Sequence, residues 1–310
     1  MRQERKKKKR KNKWLKFFGI LLLLFLIGGA VYGAMVYQSL KGAVNSMQGT
    51  EHKSEKRLED IKFKNKDPFS VLILGVDERA NDVGRSDTMI VVTVNPKKQS
   101  MEMLSLPRDI RTEIVGHGTT DKMNHAYAYG GIPMAIKTVE AFLDVPIDYY
   151  IKMNMEGFQD IVEAVGGITV KNDMNLSHGG YSFPKGTITL NGKEALVYSR
   201  IRKEDPRGDF GRQMRQRQVI EAIVEKGASL SSLTNYRGIF KALGKNVETN
   251  LTFDEMMSIQ NHYKKALGSI NQSTIEGNGQ RINGIWYLIV PEEERLRVQN
   301  QLKAHLDILI

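Results

Sequence analysis

The residues with the clearest capacity for chemistry are arginines that crowd into one short stretch of the chain. Residues 198–218, YSRIRKEDPRGDFGRQMRQRQ, hold six of the fifteen arginines that lie beyond the first sixteen residues. Arginine presents a rigid fork of donors that fits two phosphate or carboxylate oxygens at once. The cluster therefore predicts binding of a multiply charged anion, and the alternative is a solvated basic helix face. Its members are Arg200, Arg202, Arg207, Arg212, Arg215 and Arg217.

Two aspartates, each near an arginine, form a second candidate site. Asp77 lies with Arg79 in GVDER, and Asp87 lies with Arg85 in GRSDT. Mg²⁺ takes carboxylate oxygens and shares the rest of its shell with water and substrate phosphates. The two aspartates therefore predict one end of a metal-phosphate site. The alternative is a loop of local Arg–Asp pairs with an Asx turn.

A helix that begins near Asp209, which can serve as its N-cap, would carry part of the arginine cluster to the core. At 100° per residue, one stripe about 60° wide holds Arg212, Gln216, Val219 and Ile223. The stripe is polar at its start and apolar at its end. We therefore expect Arg212 and Gln216 at the rim of the core, facing inward.

The other arginines of the cluster are expected in different places. Arg217 falls on another side of the same helix, where we expect it on the surface, paired with Glu221 four residues later. Arg200 and Arg202 are two residues apart, so both point the same way if the chain is extended there. These two could close on the same anion.

Composition limits the remaining possibilities. The chain has no cysteine, which excludes disulfides, thiol nucleophiles and thiolate metal sites, and its six histidines lack the spacing of a zinc helix. Any metal is therefore expected to be held by oxygen. Nine of the eleven net positive charges lie in residues 1–16, which leaves the rest of the chain nearly neutral. A nucleic-acid-coating role for the folded part is disfavoured.

The N-terminal region predicts a membrane anchor. Residues 1–16 are a basic tail, and the uncharged residues 17–40 are long enough to cross a bilayer as a helix. The positive-inside rule places the tail in the cytoplasm and the rest of the chain outside, in an extracellular location at the cell membrane. Residues 41–66 are expected to be an extracellular stalk and residues 67–310 a folded domain. A cleaved signal peptide is the alternative.

The folded domain is predicted to be α/β. The runs FSVLILGV, TMIVVTVN and SMEMLSL read as strands, and because they are continuously apolar we expect helices on both faces of their sheet. Short connections make these first strands antiparallel, so the sheet is mixed, with an antiparallel start, and sandwiched between helices. Further strands are predicted at YYIKM, ITV, TITL, STIEG and WYLIV. Helices are predicted at 131–143, 155–165, 191–200, 211–227, 253–267 and 291–307.

One edge of this sheet would gather the candidate residues. In the antiparallel arrangement the end of the first strand, the start of the second and the end of the third lie together. The sequence places charged residues at all three positions, which predicts a single site there. These residues are Asp77, Arg79, Arg85, Asp87, Arg108 and Asp109.

Six ordered motifs resemble those of the LytR-CpsA-Psr family of cell-wall glycopolymer transferases. They are GVDER, GRSDT, SLPRD, KMNHAYAYGG, ALVYSRIRK and GDFGRQMRQ, and the resemblance covers residues 69–228. It is strongest to the family's teichoic acid transferases of Gram-positive bacteria. The basic tail followed by a single anchor also matches that family.

The resemblance implies a transferase that moves an anionic polymer, wall teichoic acid, from undecaprenyl pyrophosphate to the C6 hydroxyl of N-acetylmuramic acid in peptidoglycan. Mg²⁺, or Mn²⁺, would be the cofactor, held by Asp77 and Asp87. Either aspartate could remove the proton of the acceptor hydroxyl. Asp209 would orient the arginines, and membrane lipids would contact the basic tail. The pyrophosphate would be held by Arg79, Arg85, Arg108, Arg200, Arg202, Arg212 and Gln216.

The resemblance also implies a long apolar pocket for the prenyl chain. Eight apolar residues at helical spacing are nevertheless interpreted more simply as core: Phe142, Leu143, Phe158, Ile161, Val165, Val219, Ile220 and Ile223. Lys122, Asn124 and His125 either open a helix or take a secondary role near the phosphates. The rival functions are a lipid-pyrophosphate hydrolase, a non-catalytic prenyl-lipid binding protein and a nucleic-acid-binding regulator.

Overall fold

A computed structural model describes residues 32–77, 84–229, 243–244 and 246–308. The strands are β1 (Phe69–Val76), β2 (Ser86–Asn95), β3 (Ser100–Ser105), β4 (Arg111–Ile114), β5 (Thr119–Lys122), β6 (Tyr149–Met153), β7 (Ile168–Asn172), β8 (Leu176–His178), β9 (Tyr181–Phe183), β10 (Gly186–Leu190), β11 (Val247–Thr249), β12 (Ser269–Thr274), β13 (Asn278–Ile282) and β14 (Ile285–Ile289). The helices are α1 (32–45), α2 (His125–Leu143), α3 (Met155–Ala164), α4 (Gly192–Arg200), α5 (Asp209–Ser229), α6 (Phe253–His262) and α7 (Glu292–His305).

The centre of the fold is a six-stranded mixed sheet with the strand order β11-β6-β1-β2-β3-β12. Strand β2 pairs antiparallel with both β1 and β3, as the short connections predicted. Strands β6 and β12 run parallel to their neighbours β1 and β3, which makes the sheet mixed. The predicted α/β class and the antiparallel start of the sheet are confirmed. The six predicted helices correspond to α2–α7, with shifted ends.

Both faces of the central sheet are buried because its strands are apolar on both sides. In β1, Leu72 and Leu74 face a core formed with α2 and α7, while Val71 and Ile73 face a core on the other side. Successive side chains of a strand point to opposite faces, so a continuously apolar strand requires a layer on each. Helices α5 and α6 contribute to the second layer. The candidate site lies at the edge between these layers.

Helix α2 consists of two segments joined at a kink. Gly130 and Gly131 leave the helical conformation, and Gly131 has φ of 62°, a left-handed value that other residues adopt only at a cost. Pro133 follows at the start of the second segment, where its missing N–H is tolerated. The sequence predicted only the second segment. The first, which begins at His125, projects towards the candidate site.

The segment that was predicted to be a stalk lies against the folded domain. Phe63 is buried, and Arg57 forms a 2.5 Å ion pair with Asp148 in the loop before β6. Ser54 is buried as well, and its hydroxyl donates to the carboxylate of Glu140 on α2. Residues within 41–66 therefore pack as part of the domain.

The predicted membrane anchor falls mostly outside the described residues. Residues 17–31 lie outside them, and the rest of the predicted span forms the first part of α1. Val36 and Leu40 of α1 are buried against Phe253 of α6. Within the described part of the chain, no helix has both the length and the apolar character to cross a bilayer.

Candidate functional site

Asp87 lies in β2, and Asp77 directly follows the neighbouring strand β1. Gly75 of β1 pairs with Thr88 of β2, whereas Val76 pairs with Ser86, so Asp87 is an extra residue in a β-bulge. Such bulges re-aim a side chain and often occur next to active sites. Asp77 follows directly after Val76, and paired residues in antiparallel strands have their Cα atoms about 5 Å apart. Asp77 and Asp87 are therefore close neighbours at the predicted sheet edge.

Arg108 reaches this edge from the chain that follows β3. Its Nη1 atom lies 2.6 Å from Oδ1 of Asp87, and its Nε atom lies 3.9 Å from Oδ2 of Asp109. Burial lowers the pKa of the Arg108 guanidinium, but the hydrogen bond and charge of Asp87, with the charges of Asp109 and Asp209, outweigh this and raise that pKa. Arg108 is thus a permanent cation beside the bulge.

The start of α5 supplies a second cationic group. Arg212 is 12% exposed, and its Nη2 atom lies 2.6 Å from Oδ1 of Asp209. Arg202, in the extended chain after α4, brings its Nε atom within 3.8 Å of the same oxygen. Gln213 donates from Nε2 to the other oxygen of Asp209, at 2.9 Å. Asp209 therefore lies between Arg202 and Arg212, within ion-pair distance of both.

These two halves form one electrostatic unit. Burial lowers the pKa of the Arg212 guanidinium. The positive charges of Arg108 and Arg202 act in the same direction, and the negative charges of Asp209 and Asp87 oppose them. Exposed charges more than about 10 Å apart are largely screened, so the charges that act on Arg212 lie near it. Residues far apart in sequence therefore converge around one cleft, where three arginines face two carboxylates.

Arg200 and Gln216 line a small cavity of about 50 Å³ beneath this cleft. Gly75 and Thr88, which are the pair next to the bulge, line the same cavity. Arg212 and Gln216 are four residues apart on α5 and therefore share a face of the helix. The inward stripe predicted for α5 thus places both side chains between the cleft and the interior.

The small cavity adjoins a larger apolar one of about 380 Å³, which lies between the sheet and helices α3, α5 and α6. Four residues line both cavities: Ile73, Met153, Phe158 and Ile220. The interpretation of the helical apolar residues as core holds in part for Phe158, Ile161, Ile220 and Ile223, which are partly buried against the core clusters and also line the larger cavity. It holds for Phe142, Leu143, Val165 and Val219, which are buried in core clusters.

Some of the residues that line the apolar cavity could not be recognised from the sequence. Leu40 and Met47 belong to segments predicted to be anchor and stalk, yet both lie in its wall. Met256 and Met257 of α6 also contribute. Methionine fills irregular apolar space and adapts its shape, which suits a flexible apolar ligand. A cavity forms where elements distant in sequence leave space between them. The spacing of residues along the chain does not show where this happens.

The remaining arginines of the cluster are structural. Arg215 is fully buried and pairs with Asp205 at 2.5 Å, while Arg207 pairs with the same Asp205 at 2.9 Å and with Asp173 at 2.6 Å. The surface position predicted for Arg217 is wrong. It is 7% exposed, and it donates to Oγ of Ser105 at 2.6 Å rather than pairing with Glu221.

Two further residues of the predicted phosphate site are less directly placed. Arg79 lies outside the described residues. Arg85 is exposed, and its positive charge acts on the hydroxyl of Tyr129. Lys122 has its Nζ atom 2.6 Å from Oδ1 of Asp109, which extends the charged network of Arg108 by one more ion pair.

The residues at the bulge fit a hard divalent cation. Asp87 uses Oδ1 for Arg108, and 35% of its side chain is exposed. The neighbouring Ser86 hydroxyl is buried without a hydrogen-bond partner in the described chain, so an oxygen donor there is unsatisfied. The described residues contain no group of three or more His, Asp or Glu side chains that could form a metal cage by themselves. Magnesium sites commonly use only one or two carboxylates and complete their shell with water and phosphate.

Comparison with known proteins identifies relatives over the same part of the chain. The model of the LytR_cpsA_psr family matches residues 34–304. The polyisoprenyl-teichoic acid–peptidoglycan teichoic acid transferase TagU of Bacillus subtilis is 52% identical over 307 residues, which are 99% of this chain and 100% of that protein. The crystal structure of B. subtilis TagU has a TM-score of 0.66 and covers 79% of this chain and 99% of its own.

Two other solved structures share the fold. One is titled a transcriptional regulator from Enterococcus faecalis, with a TM-score of 0.74, 43% identity and coverage of 80% of this chain and 91% of its own. The other, titled TagT bound to LIIa-WTA, has a TM-score of 0.72, 34% identity and coverage of 84% and 99%. With a family model that matches most of the chain and relatives this similar, the chain belongs to the LytR-CpsA-Psr family.

Proposed function

We propose that this chain is a transferase that moves an anionic glycopolymer, wall teichoic acid, from undecaprenyl pyrophosphate to the C6 hydroxyl of N-acetylmuramic acid in peptidoglycan. The observation that carries the proposal is the position of a cationic cleft beside an apolar cavity. The cleft holds Arg108, Arg202 and Arg212. Arg200 and Gln216 line the small cavity between this cleft and the apolar cavity. A prenyl pyrophosphate has the matching form, a charged head on an apolar tail. The name of the B. subtilis relative supports the same class of substrate.

The reaction is a phosphoryl transfer. The acceptor oxygen forms a bond to the phosphorus that carries the glycopolymer, the bridging P–O bond breaks, and undecaprenyl phosphate leaves. Negative charge grows on the leaving phosphate, and arginines fixed in advance around it stabilise the transition state more than the ground state. Asp209 contributes by holding Arg202 and Arg212 in place, so that little reorganisation is needed during the reaction.

Mg²⁺, or Mn²⁺, is the proposed cofactor, and Asp77 and Asp87 would hold it beside the cleft. When bound, it would neutralise phosphate charge and orient the reacting oxygens. One of the two aspartates would accept the proton of the acceptor hydroxyl during attack. Asp87 is already engaged with Arg108 through Oδ1, which fixes its carboxylate relative to the phosphate-binding arginine.

The test is a transfer assay with the full-length protein, a labelled lipid-pyrophosphate glycopolymer, Mg²⁺ and a peptidoglycan glycan acceptor. The variants Asp77→Ala and Asp87→Ala should lose at least about 100-fold in transfer rate, since each removes a metal ligand. Asp60→Ala is the matched control, because Asp60 is exposed and contacts only Lys53 in the described structure. Full transfer by both site variants would contradict the metal mechanism.

The products separate this proposal from its rivals. A hydrolase would release the phosphorylated polymer into solution with water as the nucleophile, and none would be attached to the glycan. A non-catalytic carrier would retain the lipid unchanged. Glycan-linked polymer whose formation requires both Asp77 and Asp87 is the result expected here.

We further infer a single-pass membrane location with residues 1–16 in the cytoplasm and the folded domain outside. Because Val36 and Leu40 pack on the domain, the span would use residues 17–35, whose helical length is about 28 Å, close to the thickness of a bilayer core. The chain has no cysteine, so Lys8→Cys and Lys193→Cys each create a unique thiol. An impermeant thiol reagent applied to intact cells should label only the second variant. Labelling of the first would reverse the topology.

A further inference from the structure

A second polar cluster lies next to Lys122, which is linked to Arg108 through Asp109. Asp121 of β5 is its centre: Oδ2 lies 2.7 Å from Nδ1 of His125 and accepts from the hydroxyl of Tyr129 at 2.7 Å. Its Oδ1 accepts from the hydroxyl of Tyr287 at 3.3 Å and from the backbone N–H of Lys122 at 2.8 Å. His125 and Tyr129 are four residues apart in the first segment of α2, so both reach Asp121 from one helix face.

This cluster is joined to the phosphate site by a short chain of ion pairs. Lys122, next to Asp121, pairs with Asp109 at 2.6 Å, and Asp109 lies 3.9 Å from Arg108. The hydrogen bond to Asp121 raises the pKa of the Tyr129 hydroxyl, while the charge of Arg85 acts in the opposite direction, so Arg85 lies near this cluster. A ligand on this cluster would therefore lie next to a phosphate held in the cleft.

The surface of the cluster is aromatic. The rings of His117 and Tyr129 stack with centroids 4.0 Å apart and an interplanar angle of 5°. Both rings are exposed, with Tyr129 44% accessible. An aromatic pair held parallel in solvent, next to a fixed carboxylate, combines an apolar surface with directional polar groups. Binding sites for small hydroxylated ligands typically have this combination.

Asp121 acts by orienting its neighbours. Its two oxygens already accept four hydrogen bonds, so it has little capacity left for a ligand. When His125 donates from Nδ1 to Asp121, its Nε2 atom is left as a hydrogen-bond acceptor. Burial raises the pKa of the Asp121 carboxyl, but hydrogen bonds from His125 and Tyr129 outweigh this and hold that pKa at about 2. The carboxylate therefore stays ionised and maintains this arrangement at neutral pH.

We propose that the surface formed by His117, His125 and Tyr129, held by Asp121, binds the acceptor glycan and presents its hydroxyl to the phosphate site. The proposal rests on the proposed function and adds to it a location for the second substrate. A sugar ring carries apolar C–H faces and hydroxyl donors, which suit the stacked rings and the acceptor Nε2. The ionised Asp121 disfavours the polyanionic donor polymer at the same place. The glycan would thus lie beside the phosphate site, to which this surface is linked through Lys122, Asp109 and Arg108.

Steady-state kinetics of the full-length protein would test this proposal. Tyr129→Ala and His117→Ala should each raise the KM for the glycan acceptor about tenfold, a size consistent with losing a stacked aromatic contact. The KM for the lipid donor should stay unchanged. Tyr129→Phe keeps the ring and should restore most of the acceptor affinity. A structural role alone would alter both KM values together.

Trp286→Ala is the matched control. Trp286 is 49% exposed, and it points to the opposite face of β14 from Tyr287, because successive side chains of a strand alternate. Its removal should leave the acceptor KM unchanged. An acceptor KM that is the same in Tyr129→Ala as in the unmodified protein would overturn the proposal. So would an increase confined to the donor KM, which would assign the surface to the donor polymer.

A direct binding measurement keeps this inference separate from the proposed reaction. The probe is a soluble oligosaccharide of alternating N-acetylglucosamine and N-acetylmuramic acid, titrated without lipid donor. The unmodified protein should bind it, and Tyr129→Ala should bind about tenfold more weakly. If the glycan binds in this way but no transfer product forms, the proposed function fails and the glycan site stands. If transfer occurs and neither Tyr129→Ala nor His117→Ala affects glycan binding, only the proposed glycan site is refuted.

Discussion

The buried ion pair between Asp205 and Arg215 should be the most sensitive electrostatic contact in the molecule. Both side chains have no exposed area, and their atoms are 2.5 Å apart. The pair ties the loop that carries Arg202 to helix α5, which carries Arg212. The helix passes so close that a Cβ atom added at Gly211 would lie 2.0 Å from Oδ2 of Asp205. We predict that Asp205→Asn strongly destabilises the fold.

The magnitude follows from what Arg215 would retain. Its other acceptors are neutral, the backbone carbonyls of Tyr198 at 3.1 Å and of Ile201. A fully buried guanidinium would lose the only carboxylate that pairs with it in the described structure, and Arg207 would lose one of its two. Removing one partner of a buried pair typically costs about 3–5 kcal/mol. For a domain of this size the midpoint of thermal unfolding should fall by about 6–20 °C.

Thermal and urea unfolding followed by circular dichroism would measure this effect. Asp60→Asn is the control, because the Asp60–Lys53 pair is exposed and should contribute less than about 1 kcal/mol. Arg215→Met should cost less than Asp205→Asn, because Asp205 would still pair with Arg207. If Asp205→Asn unfolds within about 1 °C of the control, the assignment of the ion pair as a main support of this region is wrong.

The pH dependence of the same variant gives an independent check. Burial raises the pKa of the Asp205 carboxyl, but hydrogen bonds from Arg207 and Arg215 outweigh it and hold that pKa well below its usual value of 3.8. A lowered pKa in the folded state means that the stabilisation is present above about pH 4 and is lost as the pH falls towards the folded value. The difference in unfolding free energy between the unmodified protein and Asp205→Asn should therefore narrow below pH 4. A difference that widened in acid would contradict this linkage.

Three further predictions concern single side chains. Arg217→Met should change the unfolding free energy by less than about 1 kcal/mol, because burial lowers the pKa of Arg217 to about 10 and no carboxylate pairs with it in the described chain. A loss above about 3 kcal/mol in urea unfolding would show that the hydrogen bond from Arg217 to Ser105 is essential. Ile223→Trp should fill part of the apolar cavity and weaken binding of a long-chain prenyl pyrophosphate about tenfold in a direct titration. The control is Leu296→Trp, which is at an exposed position and should leave this binding unchanged. Arg212→Lys should lower the transfer rate at least about tenfold with little loss of stability, because lysine cannot reproduce the two-donor fork of arginine. An unchanged transfer rate would show that Arg212 does not belong to the phosphate site.

The start of the central sheet could be predicted because local signals agree there. The apolar runs of β1 and β2 and the four-residue connection between β2 and β3 fix strand type, direction and two-sided burial. The bulge at Asp87 left no such signal, since it arises from the register between two strands. Short polar strands such as β4 and β5 were missed for a related reason. Their residues, RTEI and TTDK, become strands only because they pair with each other.

Which residues belong to the candidate site could be predicted from the sequence better than the position and contacts of each one. The motifs identified the arginines and aspartates, and periodicity placed Arg212 and Gln216 on the inward face of α5. The same pattern placed Arg217 on the surface, although it is buried against Ser105 beneath the edge strand β12. A helical wheel gives relative directions around one helix. It does not say how many of those directions are covered by other elements.

The sequence by itself determined that this chain has a mixed α/β domain, a cluster of phosphate-binding residue types and the motifs of its family, because these depend on residue identity and local spacing. Tertiary structure decided which of the six clustered arginines lie near Asp209 and Asp87 and which brace the fold. It also decided where the apolar cavity lies, and that part of the segment predicted as stalk packs on the domain. The physical reason is that burial and electrostatic partnership are properties of space. Asp205 neutralises Arg215 in the interior, whereas Arg108, Arg202 and Arg212 meet across a cleft from distant parts of the chain.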